Sequence, residues 1–212
     1  MKNSAQFLNE WADAQSAFPE QLALNRRQLD GDYPAHWLSL LSVLQSLLDR
    51  VTRIVDVGCG AGALRPLCLR HFPYMEYIGY DYASAAVELA TKTWGEFFVV
   101  KNYIDLTPDD FGRGDILVAN ALADVLPNGD DCIKHLLSLG VDHLHLQRVK
   151  LTHQKSYFST YKAYDITTYA YYHNVDNLNK LFSKYKYTAT SEPLDGESCN
   201  FLLSRKLSLN YI

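Results

Sequence analysis

Long apolar runs are missing from this chain of 212 residues. Its most apolar stretch, WLSLLSVLQSLL at 37–48, is interrupted by serine and glutamine and is too short to cross a bilayer. The opening residues, MKNSAQFLNEWADAQSAF, hold one lysine and no apolar segment, so no secretory signal is expected. Cysteine is sparse, and Cys59, Cys68, Cys132 and Cys199 form no CxxC pair. That scatter excludes the usual zinc and disulfide frameworks and implies reduced thiols in the cytoplasm. An excess of positive charge is also missing. The net charge is −4, so no overall field attracts nucleic acid, and neither nucleic acid nor membrane is an expected partner. There is no internal repeat, and the only biased segment is the tyrosine-rich run at 157–172.

What is present suffices for one domain with a full core, 1–212, in which 1–49 reads as an N-terminal helical extension. Residues 4–18 and 20–29 read as two short helices punctuated by Pro19, and 35–49 as a longer one with Trp37, Leu41, Leu44 and Leu48 along one face. From residue 53 onward short β runs alternate with helical patterns. Strands are expected at 53–57, 77–80, 97–100, 115–119 and 143–148, with helices at 63–71, 83–93, 130–139 and 176–185. The segments 187–191 and 200–204 read as a C-terminal antiparallel pair. Such alternation predicts an α/β fold, with a mostly parallel sheet covered by helices on both faces. Its ligands belong beyond the carboxyl ends of the strands. Charge is uneven along the chain: residues 1–147 carry a net of −8 and residues 148–206 a net of +4.

The segment RIVDVGCGAGAL at 53–64 is a strand followed by a glycine loop. Gly58, Gly60 and Ala63 satisfy the dinucleotide spacing, but Asp56 stands two residues before Gly58. A carboxylate there repels a pyrophosphate at the helix N-terminus and suits a ligand that is cationic or zwitterionic where it meets the loop. S-adenosylmethionine, with an ammonium, a sulfonium and no phosphate, is such a ligand. Asp81 ends the next strand and is placed to accept both hydroxyls of a ribose or, alternatively, to cap the following helix. Ile104 and Asp105 follow the third strand, an apolar face and an acceptor that suit an adenine.

VDVGCGAG, YIGYD, NYIDL and DILVANALADVL, taken in order, resemble the class I S-adenosylmethionine-dependent methyltransferases over about residues 50–150. The resemblance implies a Rossmann-like seven-stranded sheet with its last strand antiparallel. It implies that Asp56, Gly58, Cys59, Gly60 and Gly62 line the methionine part of the cofactor. It gives Asp81 the ribose and Asp105 the adenine, counts Tyr82 and Ile104 among the cofactor contacts, and puts Asn120 and Ala121 beneath the cofactor. No Asn-Pro-Pro-Tyr motif follows the fourth strand, which argues against the common amino-group methylases of DNA and protein.

An oxygen acceptor calls for a general base. His153, just after the fifth strand, and His173, at the end of the tyrosine run, are both candidates, and Asp124 could orient an acceptor. His143 and His145 share one strand face and read as structural, so no metal is expected. Arg148 and Tyr172 are the expected acceptor contacts, since cations among aromatic rings suit a small anionic or sugar-containing molecule. Residues 157–172 fit either a lid or a pair of core strands. The reading is methyl transfer to a small or medium-sized acceptor at oxygen. The rival readings are a nicotinamide-dependent oxidoreductase and a cofactor-binding module without catalysis.

Overall fold

Apolar residues on both faces of the strands build the sheet that positions everything else. In a computed structural model that describes residues 17–164 and 166–205, β1 (Arg53–Val57) turns Ile54 to one face and Val55 and Val57 to the other. This is the period of two that a strand imposes. β2 (Glu76–Asp81), β3 (Phe98–Val100), β4 (Asp115–Asn120) and β5 (His143–Thr152) join it in parallel, in the order β3-β2-β1-β4-β5. The chain leaves β1 in one direction and returns to its other side with β4, so the strand order reverses between β1 and β4. Ligand crevices in such sheets open at that point.

β5 continues past the end of β4. There Leu151 and Thr152 pair with His173 and Asn174 of a hairpin, β6 (Tyr157–Ala163) and β7 (Ile166–Asn174). β8 (Tyr187–Pro193) and β9 (Ser198–Arg205) close the sheet, with β9 antiparallel to both β5 and β8. The described sheet thus has nine strands rather than the expected seven. Seven of them form the doubly wound body, and the hairpin is an addition at the carboxyl edge.

α1 (Ala17–Leu29), α2 (Ala35–Ser46), α3 (Leu64–His71) and α4 (Ser84–Trp94) lie on one side, α5 (Gly129–Ser138) and α6 (Val175–Lys184) on the other. Trp37, Leu40 and Leu44 of α2 pack with Ile54, Ile116 and Val118, while Ile133, Leu136 and Leu137 of α5 pack with Val55, Leu117 and Leu144. Residues two apart on one strand therefore serve one core, and their neighbours serve the other. The buried stripe of α2 is 37, 40 and 44, continued by Leu47; Leu48 is exposed, because the helix stops at Ser46. Pro19 lies within α1. The expected helix at 4–18 falls mostly outside the described residues.

Candidate functional site

The glycine loop leaves β1 with three residues in the left-handed region, Gly58 (φ 77°), Gly60 (φ 52°) and Gly62 (φ 75°). They serve different ends. A Cβ on Gly62 would lie 2.6 Å from Phe98 Cζ and 3.0 Å from Ala90 Cβ, so this glycine admits the packing of β3 and α4. Gly58 and Gly60 line a cleft of about 440 Å³ with Asp81, Tyr82, Asn120 and Ala121. A Cβ on Gly60 would meet Gln21 Oε1 at 2.7 Å. Gln21 belongs to α1, and its Oε1 accepts the Ala61 N–H at 3.0 Å. The N-terminal helix is thereby tied directly onto the loop.

Two buried carboxyls stand beneath this loop. Asp81 Oδ2 accepts the Gly60 N–H at 2.8 Å and Oδ1 accepts the Ala83 N–H at 3.0 Å. It fastens the loop to the start of α4, and it also borders the cleft. Burial pushes its pKa up, while the N–H donors of Ala83, Gly60 and Tyr82 pull it down. Asp56 is 1% exposed. Its Oδ2 accepts the Tyr77 hydroxyl at 2.6 Å, and its Oδ1 has no partner among the described residues. Burial raises its pKa to about 7, against the Tyr77 bond, and the charge of Asp81 adds to the rise. Asp56, Gly58 and Cys59 line a smaller recess of about 120 Å³ that shares Gln21, Asn120 and Arg148 with the larger cleft. The Cys59 thiol is held far from ionisation by burial, then by Asp81 and Asp56.

The far wall is strained backbone. Ala121 (φ 52°) and Arg148 (φ 58°) are left-handed without being glycine, which an L residue adopts only when its surroundings insist. At Arg148 the cause is visible. The register between β5 and β9 shifts between Leu146 and Val149, and the Arg148 N–H goes to Asn200 Oδ1 at 3.1 Å. Such a bulge re-aims a side chain. The guanidinium turns into the cleft, where its Nε donates to Asn120 Oδ1 at 2.9 Å.

Arg148 also borders a third space of about 320 Å³, shared with His36, Asp124, Lys150, Tyr161 and Ser198. Asp124 and Tyr161 face both this space and the main cleft. Asp124 is 7% exposed, and its Oδ1 is buried without a partner among the described residues. Burial raises it to about 6, although Arg148 and Lys150 pull the other way. The hairpin reaches the same place: Tyr161, Ala163 and Tyr164 line the main cleft. Residues 157–172 are therefore a pair of strands whose tip walls the site.

The structure gathers Asp56, Gly58, Cys59, Gly60, Asp81, Tyr82, Asn120, Ala121, Asp124 and Arg148 around these connected spaces. Other expected site residues lie elsewhere. His153 is in an exposed turn after β5. His173 is fully buried, with Nδ1 on Asp130 Oδ1 at 2.7 Å, because the alternation along β7 turns it to the N-terminus of α5. Tyr172 points the opposite way, stacks on Tyr157 at 4.8 Å and donates to Glu197. Gly62 is packing, as above. Ile104 and Asp105 are exposed in the turn Tyr103–Asp105, off the lining of the cleft. His143 meets Ser204, and His145 is buried beside Ser39. Sequence reasoning passed over Gln21 and His36. Each is a single polar residue on an amphipathic helix, and only the packing of that helix brings it to the site.

The O-methyltransferase domain family matches residues 35–137. Among solved structures, magnesium protoporphyrin IX methyltransferase from Synechocystis PCC 6803 with bound SAH is 18% identical, with a TM-score of 0.58 over 81% of this chain and 84% of that one. Human N-acetylserotonin methyltransferase in complex with SAM is 13% identical, with a TM-score of 0.63 over 90% of this chain and 56% of that one. The 1,6-didemethyltoxoflavin-N1-methyltransferase of Burkholderia thailandensis, with S-adenosylhomocysteine, is 16% identical, with a TM-score of 0.59 over 94% and 90%. At these identities the likeness is one of fold.

Proposed function

We propose that this chain, which has the fold of the class I S-adenosylmethionine-dependent methyltransferases and matches the O-methyltransferase domain family over residues 35–137, methylates an oxygen of a small or medium-sized acceptor of anionic or sugar-containing character. One observation carries the reading. An unpartnered, buried carboxyl, Asp124, stands between the cleft at the glycine loop and the space beside Lys150.

The residues present fit the cofactor. Asp56 Oδ1 is a buried acceptor without a partner at the edge of the recess, suited to an ammonium. Asp81 takes a ribose hydroxyl with the lone-pair capacity that the N–H groups of Gly60, Ala83 and Tyr82 leave, and Tyr82 lies beside it at the cleft. Ile104 and Asp105, exposed in the turn Tyr103–Asp105, do not line the cleft, so no adenine contact is assigned to them. Asn120 and Ala121 form the floor. When bound, S-adenosylmethionine supplies an electrophilic methyl group, whose bond to sulfur breaks, returning its electron pair to sulfur, as the acceptor oxygen bonds to carbon.

The chain's own contribution is alignment and proton management. Asp124 accepts the hydrogen bond of the acceptor hydroxyl, orients its lone pair and takes its proton. Its elevated pKa of about 6 makes it a stronger base than an ordinary carboxylate, and still ionised near neutral pH. Gln21 of α1 and Tyr164 at the hairpin tip cover the cleft from two sides and exclude water. In this reading the chain is one catalytic domain in which, among the described residues, the helices Ala17–Leu29 and Ala35–Ser46 form the cap. The four free thiols fit the cytoplasm. Methyl-labelled S-adenosylmethionine offered with hydroxy acids, phenols, sugars and amines tests it. Label is expected on oxygen. Label on nitrogen alone overturns the choice of atom, and cofactor binding without any transfer supports a binding module instead.

A further inference from the structure

We propose that the space beside Arg148 is an anion subsite, which seats a carboxylate or phosphate of the acceptor between Arg148, Lys150 and the His36 ring and so turns the acceptor hydroxyl toward Asp124. This rests on the methyl-transfer reading and narrows its acceptor to a hydroxylated anion rather than a neutral sugar.

Four observations meet here. First, among the described residues neither Arg148 nor Lys150 makes an ion pair. The hydrogen bond of the guanidinium runs from Nε to Asn120, which leaves the two terminal amino groups free for a bidentate anion. Second, the bulge at Arg148 holds a non-glycine residue at φ 58° with a buried asparagine, Asn200, as its clamp. Backbone strain maintained this way presents the guanidinium to both compartments at once. Third, Lys150 lies along the Tyr172 ring, 5.6 Å from its centre, which fixes the long side chain at the rim of the space. Fourth, Asp124 Oδ1 is a buried acceptor with no donor, in the wall that faces both compartments. A hydroxyl would satisfy it, and an anion would not.

His36 completes the set. It is half-buried, with its carbonyl oxygen accepting from Gln147 Nε2, and its ring borders the space. Burial, then Arg148, then His145 lower its pKa to about 3, so it meets a ligand as a neutral ring with one donor and one acceptor. A second acidic group, Asp195, borders the same space within electrostatic reach of Lys150; it is exposed and accepts the backbone N–H groups of Glu197 and Ser198. The space is thus polarised, cationic at Arg148 and Lys150 and acidic at Asp124. An acceptor with an anionic group at one end and a hydroxyl at the other matches it.

The test uses the full chain saturated with S-adenosylhomocysteine, titrated by calorimetry with 4-hydroxybenzoate, phenol and inorganic phosphate. 4-Hydroxybenzoate is expected to bind at least tenfold more tightly than phenol, and phosphate to compete with it. Lys150→Met is expected to cost the acid about tenfold, to leave phenol and S-adenosylhomocysteine unchanged, and to be rescued by Lys150→Arg. Equal binding of the acid and phenol, or a Lys150→Met protein that binds the acid as the parent does, overturns the subsite and leaves the methyl-transfer reading standing. Failure of S-adenosylhomocysteine itself to bind overturns that reading first.

Discussion

Replacing Arg148 by alanine and by glycine separates what its side chain does from what its backbone does. Both substitutions remove the guanidinium and its bond to Asn120. Only glycine relieves the left-handed backbone at φ 58°. An L residue in that region costs roughly 1–2 kcal/mol. Glycine gives back about 0.5–1 kcal/mol of this through the greater freedom of its unfolded chain. The balance favours Arg148→Gly over Arg148→Ala by about 1 kcal/mol, or roughly 2–4 °C in melting temperature for a domain of this size. Parallel thermal unfolding of the two proteins without ligand reads the difference. Both should lose acceptor turnover. An alanine variant as stable as the glycine variant, or more so, refutes the claim that the bulge stores strain in order to aim Arg148.

Gly62→Ala places a Cβ 2.6 Å from Phe98 Cζ at a φ of 75°, and should destabilise by roughly 2–5 kcal/mol in denaturant unfolding. Gly196→Ala, with nothing within 4 Å, should be nearly neutral beside it. Asp56 has a folded pKa of about 7, raised by burial above its unfolded value, so the neutral carboxyl predominates below pH 7. A cationic group needs the ionised form, so cofactor affinity should rise with pH through about 7. Asp56→Asn should flatten that profile in calorimetric titrations from pH 5.5 to 8.5. Asp81→Ala orphans the Gly60 and Ala83 N–H groups and removes the proposed ribose acceptor. It should weaken S-adenosylhomocysteine by roughly 2–4 kcal/mol and lower the melting temperature as well; unchanged affinity in a folded variant would leave Asp81 as a clamp alone.

The parallel body of the fold was legible because its strands are short apolar runs at regular spacing, and β1 was read at its observed bounds. The glycine loop and both its carboxylates were legible for the same reason, since motif and strand end coincide. The limits of local pattern appear elsewhere. The hairpin β6–β7 is rich in β-favouring residues, yet nothing in that composition says that it joins β5 only beyond Asn120. His173 and Tyr172 are neighbours on one strand, so they point to opposite faces, and which face meets the cleft depends on α5 packing beneath. Arg148 lines the cleft through a bulge that depends on Asn200, fifty-two residues away. His36 and Gln21 carry no local signature, because their positions are set by how α2 and α1 lie on the sheet.

The central claim is that the glycine loop with its two carboxyls holds a cationic adenosyl cofactor and refuses a pyrophosphate. Calorimetry on the wild-type chain with S-adenosylmethionine, S-adenosylhomocysteine and NAD measures this directly. Binding of the first two, with NAD far weaker, is the predicted result. NAD binding more tightly than either would contradict the account.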